Sequence, residues 1–419
     1  MRATLLLCLS LITIAAWADD FATLAAALNA AHKAGDYAAM EADADKLLAL
    51  RPGYPRLEYL LAVARAGRGD KTGALDALGK VVDAGVYVDI AKAKDFAAFA
   101  DSAEFRAMTG RFAALLTPVS HARPGFRLKE PDFIPEGIAY DPGSRDFFVA
   151  SVHLREIVRV HEGKESLFAD RSANLWSVLG LKADPSHGAL WAVTSTLPQM
   201  QGYDPTLAGK SALLRFDLKS GALQASYPTP ADGKEHELND LTLGADGSVY
   251  AADGDGGVYL LAPGAKTLQT LTPVGALESS QGLAFAPDGR YLYIADYERG
   301  LYAYELSSGK LLHLDAADKV NPYYVDGMVL AGHDLVAVQN AADPQRVTRF
   351  HLDAAGLRIT GAETLASADP LLPEPTLATL VGDRLYVVAN AQWSRFDDQN
   401  HLPPDDRLQP PSIVELPLK

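Results

Sequence analysis

Cysteine, basic residues and long apolar runs are all scarce in this sequence of 419 residues. Its only cysteine is Cys8, so an internal disulfide, a thiol nucleophile and a cysteine-based zinc site are excluded for the rest of the chain. Lysine and arginine number 38 against 53 aspartate and glutamate residues, which gives a formal net charge of −15. Because nucleic acids and anionic membranes attract basic surfaces, neither is an expected partner. After the N-terminal segment no apolar stretch is long enough to cross a bilayer, so no membrane insertion is expected.

Residues 1–18 have the pattern of a secretory signal peptide. Arg2 precedes an apolar run at residues 5–16, and Ala-Trp-Ala at residues 16–18 supplies the small residues that a signal peptidase requires. We therefore expect an exported protein, periplasmic or secreted, whose mature chain begins near Asp19.

Residues 19–118 are rich in alanine and leucine, and their apolar residues recur at helical spacing. The pair Gly35-Asp36 recurs as Gly69-Asp70, a period of 34 residues that is typical of tetratricopeptide repeats. In such repeats the glycine ends one helix and the aspartate caps the next. We predict a tetratricopeptide-like helical domain, which either caps the following domain as a spacer or binds a protein or peptide partner in a groove.

Residues 119–125 are predicted to be a linker, and from residue 126 to 419 the apolar periodicity becomes that of strands. Six segments open similar units whose starts lie 43, 60, 42, 45 and 50 residues apart, and a second strand follows each start. These lengths predict an all-β, six-bladed β-propeller with four strands in each blade. The one long interval suggests an insertion at residues 196–210, a candidate lid between blades two and three. Either the segment 126–129 or the segment 412–418 would complete one blade, and the pattern leaves both open.

The residues that open the six units should converge, because the innermost strands of a propeller line its central channel. In blade order they are Glu136, Leu179, Asn239, Gln281, Asp326 and Thr376. Two carboxylates and two carboxamides form a set of hard oxygen donors, which predicts a divalent metal ion. We expect Ca²⁺, with Mg²⁺, Mn²⁺ or Zn²⁺ as the alternatives. A polar cluster held by hydrogen bonds alone is the competing interpretation.

Motifs around these positions carry a family resemblance: Pro135-Glu136-Gly137, Asn239-Asp240, Gln281-Gly282-Leu283-Ala284 with Pro287-Asp288-Gly289, and Asp326-Gly327-Met328. They resemble those of the senescence marker protein/gluconolactonase/luciferin-regenerating enzyme family. The resemblance implies a metal at the propeller axis with Glu136, Asn239 and Asp326 as ligands, and Gln281 in place of a second asparagine. It also implies a metal-dependent hydrolase of a small lactone or related ester. There the metal polarises the carbonyl and Asp326 activates water.

Three further features bear on the function. His236 is a second candidate catalytic residue, as a proton shuttle at the channel mouth. Residues 253–257 (Asp-Gly-Asp-Gly-Gly) are similar to a calcium loop but lack its distal glutamate, so a hairpin turn is predicted. Sugar-lactone hydrolases of the family resemble one another in having arginine where this chain has Glu237. Together with Gln281, Glu237 keeps a second hypothesis open, a non-catalytic periplasmic or secreted binding or scaffold protein.

Overall fold

A computed structural model describes residues 12–272 and 275–419. The predicted signal peptide falls on residues 1–11, which lie outside the described residues, and on the start of the first helix. The chain divides into two compact units. One comprises the chain up to Thr117 with Ala317–Asn321 and Ala342–Pro344, and the other comprises Pro118–Ala316, Pro322–Ala341 and Gln345–Lys419. In the part of the chain that the structure describes, no helix has the length and apolar character needed to cross a membrane.

The first unit is helical. Its helices are α1 (Ile12–Ala34), α2 (Tyr37–Leu50), α3 (Pro55–Gly67), α4 (Lys71–Asp83) and α5 (Ala103–Ala114), with a 3₁₀ helix at Lys94–Phe99. Asp36 caps α2 by accepting a hydrogen bond from the backbone N–H of Ala39 at 3.0 Å. Asp70 caps α4 in the same way, by accepting a hydrogen bond from the backbone N–H of Gly73 at 2.9 Å. Helix α1 packs against α2, and α3 packs against α4. The N-terminal helical domain is confirmed, whereas its assignment to tetratricopeptide-like repeats stays a prediction.

The second unit contains 25 strands within its described residues, numbered in chain order. They are β1 (Arg123–Arg127), β2 (Pro135–Asp141), β3 (Asp146–Ser151), β4 (Ile157–His161), β5 (Lys164–Ala169), β6 (Ser177–Asp184), β7 (Ala189–Ser195), β8 (Ser211–Asp217), β9 (Leu223–Pro228), β10 (Leu238–Leu243), β11 (Val249–Asp253), β12 (Gly257–Leu261), β13 (Gln269–Thr272), β14 (Ser280–Phe285), β15 (Tyr291–Asp296), β16 (Gly300–Glu305), β17 (Lys310–His313), β18 (Asp315–Ala316), β19 (Val325–Ala331), β20 (Asp334–Gln339), β21 (Arg346–Leu352), β22 (Arg358–Ser367), β23 (Ala378–Val381), β24 (Arg384–Val388) and β25 (Ser412–Pro417).

These strands form six sheets, one for each blade of the predicted propeller. Strands β2 to β5, β6 to β9, β10 to β13 and β14 to β17 are antiparallel meanders and form blades one to four. Blade five contains β19 to β22, with the two-residue β18 parallel to β22 at its outer edge. Blade six has the order β1-β25-β24-β23, so both segments left open by the sequence contribute to the same blade. The six-bladed β-propeller fold is therefore confirmed.

The position predicted for the insertion is wrong. Residues 196–210 connect β7 to β8 inside blade two, not blade two to blade three. The pairing of β7 with β8 begins at Ser195 opposite Ser211, so the insertion is the enlarged loop of one hairpin. It includes a 3₁₀ turn at Pro205–Leu207.

The second strand of each unit stands out in the sequence as an apolar run because it is buried. Every residue of β7, β11 and β15 is buried, because a strand in the middle of a blade has its two faces packed against the two neighbouring blades. One cluster joins Val193 and Leu213 of blade two to Leu241 and Ala251 of blade three. The core thus lies between blades, and the polar residues of the inner strands are left for the axis.

Candidate functional site

Each inner strand of blades one to five is interrupted by a β-bulge at the residue that opens the unit. The pairing register shifts at Pro135/Ile138, Val178/Leu181, Leu238/Asp240, Ser280/Leu283 and Val325/Met328. A bulge kinks its strand and re-aims a side chain away from the regular ladder. The bulged residues Glu136, Leu179, Asn239, Gln281 and Asp326 line one cavity, as does Thr376 just before β23.

A glycine follows the opening residue in four of these blades, since adjacent inner strands come very close there. A Cβ atom on Gly137 would lie 2.0 Å from the carbonyl oxygen of Leu179, and one on Gly282 would lie 2.6 Å from a backbone nitrogen of β19. These positions can hold no side chain unless the backbone shifts.

Blade three has Asp240 in place of this glycine. Asp240 is buried, and its Oδ1 lies 3.4 Å from the Nζ of Lys182. Burial raises the pKa of Asp240, and Lys182 opposes that rise.

The cavity at the axis has a volume of about 440 Å³ and belongs entirely to the propeller unit. Its lining residues are Glu136, Leu179, Glu237, Asn239, Ser279, Gln281, Tyr297, Asp326, Asn340, Gln345, Glu374, Thr376 and Trp393. All four predicted metal-ligating side chains are therefore brought together, from blades one, three, four and five.

Glu136 is held by one of its two carboxylate oxygens. The indole N–H of Trp393 donates a hydrogen bond of 2.7 Å to Oε2, while Oε1 accepts none from the residues the structure describes. Burial and the nearby carboxylate of Asp326 raise the pKa of Glu136 well above its usual range. One oxygen is thus oriented by the protein and the other is left for a ligand.

Asp326 is likewise held at one of its two carboxylate oxygens. The amide of Asn340 donates from Nδ2 to Oδ2 of Asp326 at 2.6 Å, and the hydroxyl of Tyr297 donates to Oδ1 of Asn340 at 2.6 Å. Burial, followed by the carboxylate of Asp240, raises the pKa of Asp326 to about 7. The Tyr297–Asn340 pair fixes the amide so that its N–H group faces the carboxylate.

The two amides present oxygens to the same cavity. Gln281 donates from Nε2 to the hydroxyl of Ser279 at 3.1 Å, which leaves its Oε1 without a partner among the described residues. Asn239 is only 8% exposed, yet its side chain makes no hydrogen bond to any residue that the structure describes. Both amide oxygens are therefore open to a ligand in the cavity, as a coordinated cation would require.

This donor set suits a hard divalent cation, because carboxylate and amide oxygens are what Ca²⁺ and Mg²⁺ prefer. Two close carboxylates whose pKa values are both raised would release their protons to solvent when a cation bound there. The set is unlike a histidine or cysteine centre. Within residues 12–272 and 275–419, no three His, Cys, Asp or Glu side chains are grouped to hold a metal.

His236 lies elsewhere, in a second cavity of about 340 Å³ lined by Lys234, Glu235, His236, Asp253 and Asp255. Its Nδ1 is 2.7 Å from Oδ2 of Asp253 and its Nε2 is 3.1 Å from Oδ1 of Asp232. Burial lowers the pKa of His236, but these two carboxylates outweigh it and the net pKa is raised. His236 thus does not line the axial cavity with Asp326. Residues 253–257 form the hairpin turn between β11 and β12, as the sequence predicts.

Six lining residues are not marked by the sequence patterns as parts of the site: Ser279, Tyr297, Asn340, Gln345, Glu374 and Trp393. Tyr297 and Asn340 directly follow the second strands of blades four and five. The other four blades have Val152, Thr196, Gly254 and Ala389 at that position, so a comparison of the units does not mark it as part of the site. Trp393 and Glu374 lie in irregular segments on either side of β24, where no repeated pattern marks them.

The chain belongs to the SMP-30/Gluconolactonase/LRE-like family, whose model matches residues 134–380 and so includes all six opening residues. The family resemblance seen in the sequence is confirmed.

The structure is similar to a regucalcin from Agrobacterium tumefaciens, which is described as a calcium-binding protein. The two share 18% identity and a TM-score of 0.50, and the similarity covers 70% of this chain and 93% of that one. It is also similar to a gluconolactonase from Xanthomonas campestris, with 19% identity, a TM-score of 0.48, and coverage of 73% and 93%. At such identities the first likeness shows the propeller fold alone. No curated protein sequence matches the chain.

Proposed function

We propose that this protein is a divalent-cation-dependent hydrolase of lactones or related esters. The observation that supports it best is the meeting of Glu136, Asn239, Gln281 and Asp326 at one axial cavity, each with an oxygen left free. Membership of a family that includes gluconolactonases agrees with this chemistry.

In this proposal the cation is held by Oε1 of Glu136, the amide oxygens of Asn239 and Gln281, and the carboxylate of Asp326. A bound divalent ion supplies a Lewis acid that polarises the ester carbonyl and stabilises negative charge on its oxygen. Ca²⁺ is the first expectation, with Mg²⁺, Mn²⁺ and Zn²⁺ as alternatives.

The residues of the chain supply orientation and the proton acceptor. Trp393 keeps the carboxylate of Glu136 turned toward the axis, and Asn340 does the same for Asp326. Asp326 would also accept the proton of the attacking water at its carboxylate.

The test combines cation binding with turnover. Thermal unfolding of the purified protein is recorded in EDTA and then with each of the four cations at about one hundred times its dissociation constant. An ion that binds only the folded state adds about 3 kcal/mol of stability there. The expected result is a rise in midpoint that Asp326→Ala abolishes, followed by hydrolysis of a lactone or ester panel with the same ion.

Two outcomes would contradict parts of this proposal. If no ion raises the midpoint and no substrate is hydrolysed, the axial residues form only a polar cluster. If an ion binds but nothing is hydrolysed, the non-catalytic binding or scaffold function is the better interpretation. The exposed Asp398 offers a matched control, since Asp398→Ala should change neither result.

Export is proposed from the N-terminal sequence alone. The full chain expressed with its first 18 residues should be recovered outside the cytoplasm and begin near Asp19, as read by N-terminal sequencing. A cytoplasmic product that retains Arg2 would contradict this.

A further inference from the structure

The axial cavity is acidic beyond what the proposed cation requires. Four carboxylates line it, those of Glu136, Glu237, Asp326 and Glu374. None of the described residues that line it is lysine, arginine or histidine. A ligand in this cavity therefore meets negative charge from the protein on several sides.

Three of the four carboxylates either accept hydrogen bonds from the protein or are proposed as ligands of the cation. Glu136 and Asp326 are the proposed ligands of the divalent cation. Glu374 accepts hydrogen bonds at both oxygens from Ser394, from the backbone N–H at 2.9 Å and from the hydroxyl at 2.9 Å. Glu237 is the carboxylate that remains.

The backbone of Glu237 is fixed while its side chain is free. Its N–H donates to Oδ1 of Asp253 at 2.9 Å, and its carbonyl accepts from the N–H of Gly254 at 2.7 Å. Its carboxylate makes no hydrogen bond or ion pair with any residue that the structure describes. The neighbouring His236 is paired with Asp253 instead.

The other polar groups on the wall indicate a ligand rich in positive charge or hydrogen-bond donors. The side chains of Trp393, Asn340 and Tyr297 each donate a hydrogen bond to another residue that lines the cavity, namely Glu136, Asp326 and Asn340, respectively. The Oε1 atom of Gln345 is buried and has no hydrogen-bond partner among the described residues. Asn239, at 8% exposure, is likewise without a partner in the part of the chain that the structure describes. What the cavity offers to a ligand is mainly acceptors.

We propose that the substrate of this site carries a permanent or protonated cationic group close to its reactive carbonyl, and that Glu237 binds that group. The inference rests on the hydrolase function proposed for the same cavity. Glu237 is then a specificity-determining residue, and it takes no part in the bond-breaking step.

Three lactones that differ in the charge of one α-substituent provide the test, and each kcat/KM is divided by the rate of uncatalysed hydrolysis because an α-ammonium group also makes the carbonyl more reactive. They are γ-butyrolactones with an α-trimethylammonio group, its neutral tert-butyl isostere, and an α-carboxylate. A quaternary ammonium keeps its charge at every pH of the assay. We expect kcat/KM for the cation to exceed that for the isostere by about tenfold or more, as expected of a contact with a charged partner. The anion should be the poorest of the three.

The variant Glu237→Gln keeps the shape of the side chain and removes its charge. It should bring kcat/KM for the cation down to that of the isostere and leave the isostere unchanged. Glu235→Gln is the matched control, because Glu235 is exposed, lies two residues away and does not line the axial cavity. Equal unfolding midpoints of the two variants would show that both are folded.

The outcomes separate this inference from the function on which it rests. Hydrolysis of all three lactones without preference for the cation, or a preference that persists in Glu237→Gln, overturns the inference and leaves the hydrolase intact. If no lactone is hydrolysed, calorimetry with the α-trimethylammonio lactam decides. Affinity that falls about tenfold in Glu237→Gln supports cation recognition, and equal affinity overturns it.

Discussion

Raising the pH of the metal-free protein from 5 to 8 should destabilise the propeller through Asp326. Burial and the carboxylate of Asp240 raise the pKa of Asp326 from 3.8 to about 7 in the folded state. Between these two values the folded protein keeps a proton that the unfolded chain has lost. The stabilising contribution is therefore complete below the unfolded pKa and disappears as the pH rises through about 7.

The size of the effect follows from the shift. A shift of one pKa unit corresponds to about 1.4 kcal/mol, so the part titrated between pH 5 and pH 8 is about 3 kcal/mol. In a chain of this size that loss lowers the unfolding midpoint by roughly 5 °C. The pKa of Glu136 is raised well above its usual range and that of Glu237 is raised to about 6, so both contribute with the same sign. Because Asp326 also raises the pKa of Glu136, the difference between the wild type and Asp326→Asn measures the contribution of these two groups together.

Urea unfolding at pH 5, 6, 7 and 8 in EDTA measures this difference. Asp326→Asn should be the more stable protein at pH 8 and should lose much of the pH dependence, while the exposed Asp398→Asn should behave like the wild type. Saturating Ca²⁺ should restore the wild type at pH 8 and have no effect on Asp326→Asn. The reasoning is refuted if metal-free wild-type stability is flat or rises over this range, or if Asp326→Asn keeps the full slope.

Three other substitutions test the surroundings of the site. Trp393→Phe removes the 2.7 Å hydrogen bond to Glu136 and should weaken Ca²⁺ binding about tenfold at pH 7 in calorimetry; unchanged affinity would deny Trp393 an orienting role. Lys182→Met leaves the buried carboxylate of Asp240 without its ammonium partner and should lower the free energy of unfolding, measured in urea, by about 3 to 5 kcal/mol. Adding Asp240→Asn should recover part of this loss. Gly282→Ala places a Cβ atom 2.6 Å from a backbone nitrogen of β19 and should cost about 1 to 3 kcal/mol; a loss below about 0.5 kcal/mol would contradict the close approach.

The convergence of the site residues could be predicted because a blade is a local unit of the chain. Once the repeat is aligned, equivalent positions such as Glu136 and Asp326 have to face the same axis, whatever the detail of the loops. The sequence does not show how they reach it. A β-bulge at the opening residue turns the side chain, and the glycine after it is needed for the approach of the neighbouring strand.

The features that the sequence misplaces or misses lie where the repeat is broken. His236 is three residues from Asn239, but the bulge and the contacts of His236 with Asp253 and Asp232 direct it into another cavity. The insertion is assigned to the wrong connection because only the first two strands of each unit have a clear pattern. Trp393 belongs to the long connection between β24 and β25, and like the equivalent enlarged loop between β7 and β8 in blade two, this segment carries no strand pattern that would mark it.

The pairing of β1 with β25 has a consequence for how this propeller must fold during synthesis. Strand β1 leaves the ribosome before any other described strand of its unit, but its partner in blade six is the last strand to be made. The ring therefore stays open through most of translation, and closing it joins segments separated by almost the entire unit. Such long-range closure is slow because the chain entropy must be lost before the contacts form. Once the two strands have paired, their hydrogen bonds hold the first and last described strands of the unit together, and opening the ring at blade six requires these bonds to break.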